Sequence, residues 1–166
     1  MKIIKVALGN NTEAFIENSF TDGVNIIFSD DNNKGKTIVI QSILYTLGNK
    51  PIFPSSFDYK QYYYYLEFES NEKKYAVIRR GDAYIVSSSD GLRLFEDYSE
   101  FKRFWNAEIF SLPKIKFKGH KKIVDMELFS QMFFIGQDGK DTSKIFNAGF
   151  YNKDDFREMV CSFAEE

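Results

Sequence analysis

At 166 residues, with 43% hydrophobic and 28% charged side chains, the chain has the size and composition of one globular domain rather than of a disordered segment. A net charge of −2 gives no global electrostatic case for nucleic acid, so any such contact needs a local patch. The lone cysteine, Cys161, excludes an internal disulfide framework, and no apolar run approaches the roughly 18 residues of a membrane span.

The start, MKIIKVALGNN, is cut off by polar Asn10 and Asn11 and lacks the long apolar region and cleavage site of a signal peptide, so the expected compartment is the cytoplasm. Residues 2–8 (KIIKVAL) and 14–20 (AFIENSF) read as short strands joined by a polar turn at Gly9-Asn10-Asn11. After a turn at Asp22-Gly23, residues 24–28 (VNIIF) form an apolar run bounded by polar residues, the pattern of a buried strand. A helix is expected from Lys36, because Ile40, Ile43, Leu44 and Leu47 fall at i, i+3, i+4 and i+7. Gly48 is placed to end it, with Pro51 beyond.

Residues 61–95 carry strand signals almost alone. QYYYYLEFES alternates two faces, and KYAVIRR, AYIVSS and LRLF follow across joints at Asn71-Glu72, Gly81-Asp82 and Asp90-Gly91. That predicts an antiparallel meander, in which the Arg80-Gly81-Asp82 triplet is only a turn. Tyr98, Phe101, Trp105 and Ile109 then share one helical face, with Asp97 and Glu100 spaced as a capping box. A basic strand-like stretch, PKIKFKGHKK, follows. Val124, Leu128, Met132 and Ile135 suggest a further helix stopping at Gly136. Asn152 is placed to cap a last one, with Phe156, Met159, Val160 and Phe163 as its apolar stripe.

Chemistry concentrates in residues 29–37, SDDNNKGKT. Gly35-Lys36-Thr37 is how a phosphate-binding P-loop ends, although the pattern wants glycine where Asp30 stands. An expected strand before it and an expected helix after it give the geometry in which backbone N–H groups and a helix N-terminus converge on an anion. Lys36 would reach the β- and γ-phosphates and the Thr37 hydroxyl would hold Mg²⁺. Asp and Asn are the non-glycine residues that best tolerate left-handed backbone, so Asp30, Asn32 and Asn33 can trace such a loop, while the carboxylates of Asp30 and Asp31 oppose phosphate and Lys34 partly offsets them. The alternative is an ordinary polar loop that contains Gly-Lys-Thr by chance.

The stretch GVNIIFSDDNNKGKTIVIQSILYTLG resembles the N-terminal nucleotide-binding motif of the SMC, RecN and RecF ATPases, through Gly23, Asn25, Asn32, Gly35, Lys36, Thr37, Leu47 and Gly48; Asp30 and Asn33 depart from it. The resemblance implies an α/β fold with α+β character: a P-loop NTPase half-domain of ABC/SMC type, with an antiparallel meander and flanking helices. Residues 1–166 would be the N-terminal lobe of the head, with the P-loop at 29–37, the meander at 61–95, a Q-loop near 137 in FFIGQDGKD, and the root of a coiled coil at 152–166. It implies ATP and Mg²⁺ as cofactors, bound by Asn32, Asn33, Lys34, Gly35, Lys36 and Thr37, with Thr37 and Gln137 as metal ligands and Gln137 in the catalytic role. Bacterial members of this kind act in DNA repair or anti-phage defence, as head-to-head dimers completed by a second half carrying a signature motif and a Walker B Asp-Glu pair. Neither motif is read here, since KIVDMELF has the wrong carboxylate spacing, so hydrolysis by this stretch alone is expected to be negligible. Two other readings stay open: a non-catalytic interaction module with a decayed P-loop, and an unrelated P-loop kinase or GTPase, which would return into parallel β-α-β units after residue 60.

Lys114, Lys116, Lys118, Lys121 and Lys122 form a basic run with His120. They are either a DNA-contacting ridge or an edge strand guarded against aggregation by its lysines. His120 has no metal-ligand partner at useful spacing and reads as a solvated turn residue. Cys161, beside an apolar stripe, reads as buried filler. Aromatics at 17% would suit base stacking, but core filling accounts for them.

Overall fold

Six antiparallel strands organise the first of the two units into which the chain divides, Met1–Phe104 and Trp105–Glu166. The computed structural model describes residues 1–28, 30, 35–117, 119–133 and 151–164. The strands are β1 (Lys2–Gly9), β2 (Ala14–Glu17), β3 (Tyr63–Ser70), β4 (Lys73–Arg80), β5 (Ala83–Ser88) and β6 (Gly91–Phe95), in the spatial order β2-β1-β3-β4-β5-β6. Every strand pairing among the described residues is antiparallel, which counts against the kinase or GTPase reading.

Register explains the core. Val6, Leu66, Val77 and Val86 stand side by side across four strands, each at most 1% exposed, because alternate residues of paired strands share a face. Helix α1 (Lys36–Thr46) packs on β1, β3 and β4, and α2 (Tyr98–Phe104) on β5 and β6. Aromatic pairs fasten both: Tyr45 meets Tyr64 edge-on at 4.8 Å, and Phe101 stacks on Tyr84 at 4.2 Å. The meander expected over 61–95 is present as β3–β6. Its last loop is Ser89-Asp90, one residue earlier than expected, because Gly91 already pairs with Ser88.

Two expectations fail in this unit. Of the expected face of α1 only Ile43 is buried, while Ile40, Leu44 and Leu47 are half-buried; the buried residues are Val39, Gln41, Ser42, Ile43, Tyr45 and Thr46, with Ser42 and Thr46 fully buried. Their hydroxyls donate to carbonyls one turn back, Ser42 to Ile38 at 2.6 Å and Thr46 to Ser42 at 2.7 Å. Self-satisfied small side chains permit close helix–sheet approach, which an apolar count overlooks. The second failure is residues 24–28, which are neither paired nor buried: Val24, Ile26 and Phe28 are 89%, 80% and 82% exposed. A strand buries its apolar residues only when neighbours cover it, and no described strand flanks this one.

The second unit holds a π-helical turn (Trp105–Ile109), the hairpin β7 (Lys114–Phe117) and β8 (His120–Ile123), α3 (Met126–Ser130) and α4 (Lys153–Ala164). Asn152 and Asp155 cap α4 reciprocally, each side chain accepting the other's amide at 2.9 Å. Met159 faces inward and is fully buried, whereas Cys161 is exposed rather than the expected filler, because its helical position turns it away from the Met159 stripe. The expected helix end at Ile135 and Gly136 lies outside the described residues.

Candidate functional site

Gly35 adopts a left-handed conformation (φ 77°, ψ 7°) as the N-cap of α1, and its carbonyl accepts the Val39 amide at 3.2 Å. That backbone geometry favours glycine, and it turns the chain directly into the helix at Lys36. The first turn of α1 carries no acidic residue, and Gly35 offers no side-chain cap, so the positive end of the helix dipole lies at Gly35 and Lys36. Lys36 is half-buried there and Thr37 is exposed.

Upstream, Asn25 fixes the approach. Its side chain accepts the Thr21 amide at 2.8 Å and donates to the Thr21 and Gly23 carbonyls at 2.9 and 3.3 Å. One amide thus closes the turn at Gly23, where φ is 88°.

Beside Gly35 and Lys36 opens a cleft of about 360 Å³, within the size range of small-molecule sites. Its other walls come from the β1–β2 hairpin, which contributes Glu13, Phe15 and Glu17, and from Phe57 and Tyr62 ahead of β3. The Tyr62 hydroxyl donates to Glu13 Oε1, and the Tyr62 and Phe57 rings lie 4.7 Å apart. Glu17 accepts the Ser19 hydroxyl and the Ser19 amide, the latter at 2.8 Å, and these bonds hold its carboxyl below the usual range. Glu13 and Tyr62 escaped sequence reasoning because nothing in either segment marks a site; antiparallel pairing of β1 with β3 brings them together.

Of the residues expected to bind nucleotide or metal, Gly35 and Lys36 line the cleft, while Thr37 is exposed and is not part of its lining. Asn32, Asn33, Lys34 and Gln137 lie outside the described residues. Asp30 is exposed.

In the second unit the basic run folds as the β7–β8 hairpin. Register places Lys116 directly opposite Lys121, with Lys114 two residues along the same face, and all three are exposed. Lys122 stands on the other face opposite Ile115, where it donates to Asp125 at 3.1 Å and to the Tyr151 hydroxyl at 3.0 Å. Helix α4 closes the outer edge of β7: Glu158 accepts the Lys116 amide at 2.7 Å and Ser162 the Lys114 amide at 3.4 Å. His120 is exposed, and Lys118 lies outside the described residues. No cluster of three or more metal-ligating side chains occurs among the described residues, and no described helix is long and apolar enough to cross a membrane.

No family model matches the chain. It is similar to proteins named Lamassu protein LmuB. That of Bacillus cereus (strain VD014) is 31% identical over 128 residues, covering 76% of this chain and 22% of the relative. That of a second Bacillus strain is 34% identical over 83 residues, covering 49% of this chain and 15% of the relative. The chain therefore matches about a fifth or less of the length of these relatives.

Proposed function

We propose that this chain is the N-terminal, ATP-binding part of an SMC-like ATPase that acts in anti-phage defence. The observation that carries the reading is Gly35-Lys36-Thr37 opening α1 beside a cleft of ligand size. ATP would set its phosphates against the α1 N-terminus, with Lys36 as counter-charge and Thr37 on Mg²⁺, while Asn32, Asn33 and Lys34 complete the loop and Gln137 meets the metal. The name of the Bacillus relatives supports the defence role, and their greater length supports membership of a larger head. The exposed side chains of residues 24–28 favour the same view, since a strand of that pattern gains cover from neighbours that a second half-head would supply.

Titration of the chain with Mg-ATP tests the reading. Micromolar binding lost in Lys36→Ala supports it, and no detectable binding by the unaltered chain favours the interaction module with a decayed P-loop. Turnover by the chain alone should be negligible. Steady hydrolysis that Lys36→Ala abolishes would reveal a catalytic carboxylate within these residues.

A second reading concerns DNA. Because α4 already caps the β7 edge, Lys114 and Lys116 are not needed as guards of that edge, which favours a phosphate-contacting role for them together with Lys118 and Lys121. Lys122, engaged with Asp125 and Tyr151, contributes less. Duplex binding measured against salt checks this, with a log–log slope of about −3 for three or four phosphate contacts.

A further inference from the structure

We infer that Glu13, held in position by Tyr62, accepts a hydrogen bond from the ribose hydroxyls of a nucleotide in the cleft, so that the site selects ribonucleotides over deoxyribonucleotides. The inference rests on the nucleotide reading above and names a specificity residue within it.

Charge sets the orientation. Lys36 is the one cation among the described residues that line the cleft, and Glu13 and Glu17 are the carboxylates. Phosphates are drawn to Lys36 and the α1 N-terminus and repelled from the hairpin carboxylates, so the uncharged nucleoside faces the β1–β2 hairpin. The sugar, joined directly to the phosphates, is the nearest part of that nucleoside.

Donor and acceptor chemistry then selects the contact. An ionised carboxylate only accepts, with about four lone-pair positions. Glu17 already spends one oxygen on the Ser19 amide and hydroxyl. Glu13 gives Oε1 to the Tyr62 hydroxyl, and among the described residues its Oε2 meets no donor. A vicinal diol offers two such donors. Tyr62, packed on Phe57, fixes the Glu13 carboxylate before any ligand arrives, so little further ordering opposes the contact.

The test is calorimetric titration of the full chain with ATP, 2′-deoxy-ATP, 3′-deoxy-ATP and inosine triphosphate, each with Mg²⁺. The expected result is about tenfold weaker binding of at least one deoxy nucleotide, and ATP and inosine triphosphate equal within about twofold. Glu13→Ala should erase the deoxy discrimination, and Tyr62→Phe should reduce it. An unchanged melting temperature shows that each variant is folded, and Glu13→Gln, which keeps an acceptor oxygen, should retain part of the preference. If ATP and both deoxy forms bind the unaltered chain equally, or if Glu13→Ala keeps the preference, the inference is overturned while the nucleotide reading stands. If Glu13→Ala instead erases a preference for ATP over inosine triphosphate, the carboxylate reads the base amine and the sugar assignment fails. If no nucleotide binds, both fall.

Discussion

The guanidinium of Arg79 lies 3.7 Å from the centre of the Tyr45 ring, and its Nη1 donates to the Tyr45 carbonyl and, at 2.9 Å, to the Asn49 carbonyl. Arg79 belongs to β4 and Tyr45 to the last turn of α1, so one buried cation fastens the end of that helix to the sheet. Nε donates to Gly81 O at 2.9 Å, and the carbonyls at the negative end of α1 help to offset the charge. Arg79→Lys keeps the charge and loses the planar fork, and should cost on the order of 2 to 3 kcal/mol in urea unfolding. A cost below about 0.5 kcal/mol would show that the fork is not what holds α1.

Gly35→Ala separates backbone strain from crowding. A Cβ at Gly35 meets no atom of the described residues within 4 Å, so the cost is expected from the left-handed backbone, about 1 kcal/mol. Gly35→Asn should cost less, since asparagine tolerates that region better. Denaturant midpoints of the two variants decide the order.

The Tyr84 hydroxyl is buried with no hydrogen-bond partner among the described residues. Tyr84→Phe should therefore be neutral or stabilising by up to about 1 kcal/mol. Burial raises the Tyr84 and Tyr64 hydroxyls above the ordinary tyrosine value. The folded state thus holds these protons after the unfolded chain has released them near pH 10. Their contribution is complete below that pH and is lost as pH rises beyond it, by at most about 1.4 kcal/mol per pH unit for each tyrosine. Melting curves between pH 8 and about pH 11 should show a shallower decline in Tyr84→Phe.

Lys116→Glu should act in opposite directions on stability and on binding. Like charges directly opposite in a sheet are destabilising, so a carboxylate at position 116, facing Lys121, should gain a few tenths of a kcal/mol. The same change should weaken duplex DNA binding and flatten its salt dependence by about 1, the share of one phosphate contact. Loss of stability together with loss of binding would indicate unfolding instead.

Replacing Val24, Ile26 and Phe28 together by serine should leave the stability of the isolated chain within about 0.5 kcal/mol and raise its solubility, because these side chains are solvent-exposed. Thermal melts and saturation concentrations measure the two effects. A large loss of stability would mean that residues 24–28 are packed in solution.

Sequence alone determined the local features. Alternation set β3–β6, Asn71-Glu72 and Gly81-Asp82 marked two hairpin loops, and Gly48 ended α1 with a φ of 108°. Each rests on backbone preferences and side-chain period within a few residues, which composition and order carry directly. The Gly-Lys-Thr turn was legible for the same reason: its conformation belongs to Gly35 itself. Tertiary structure decided the rest. It buried Ser42 and Thr46 in place of Ile40 and Leu44, left Val24, Ile26 and Phe28 exposed, turned Cys161 outward, and joined Glu13 to Tyr62. Those outcomes depend on which surfaces meet, and a contact between residues 49 positions apart is set by strand register and helix docking rather than by any preference of the residues concerned.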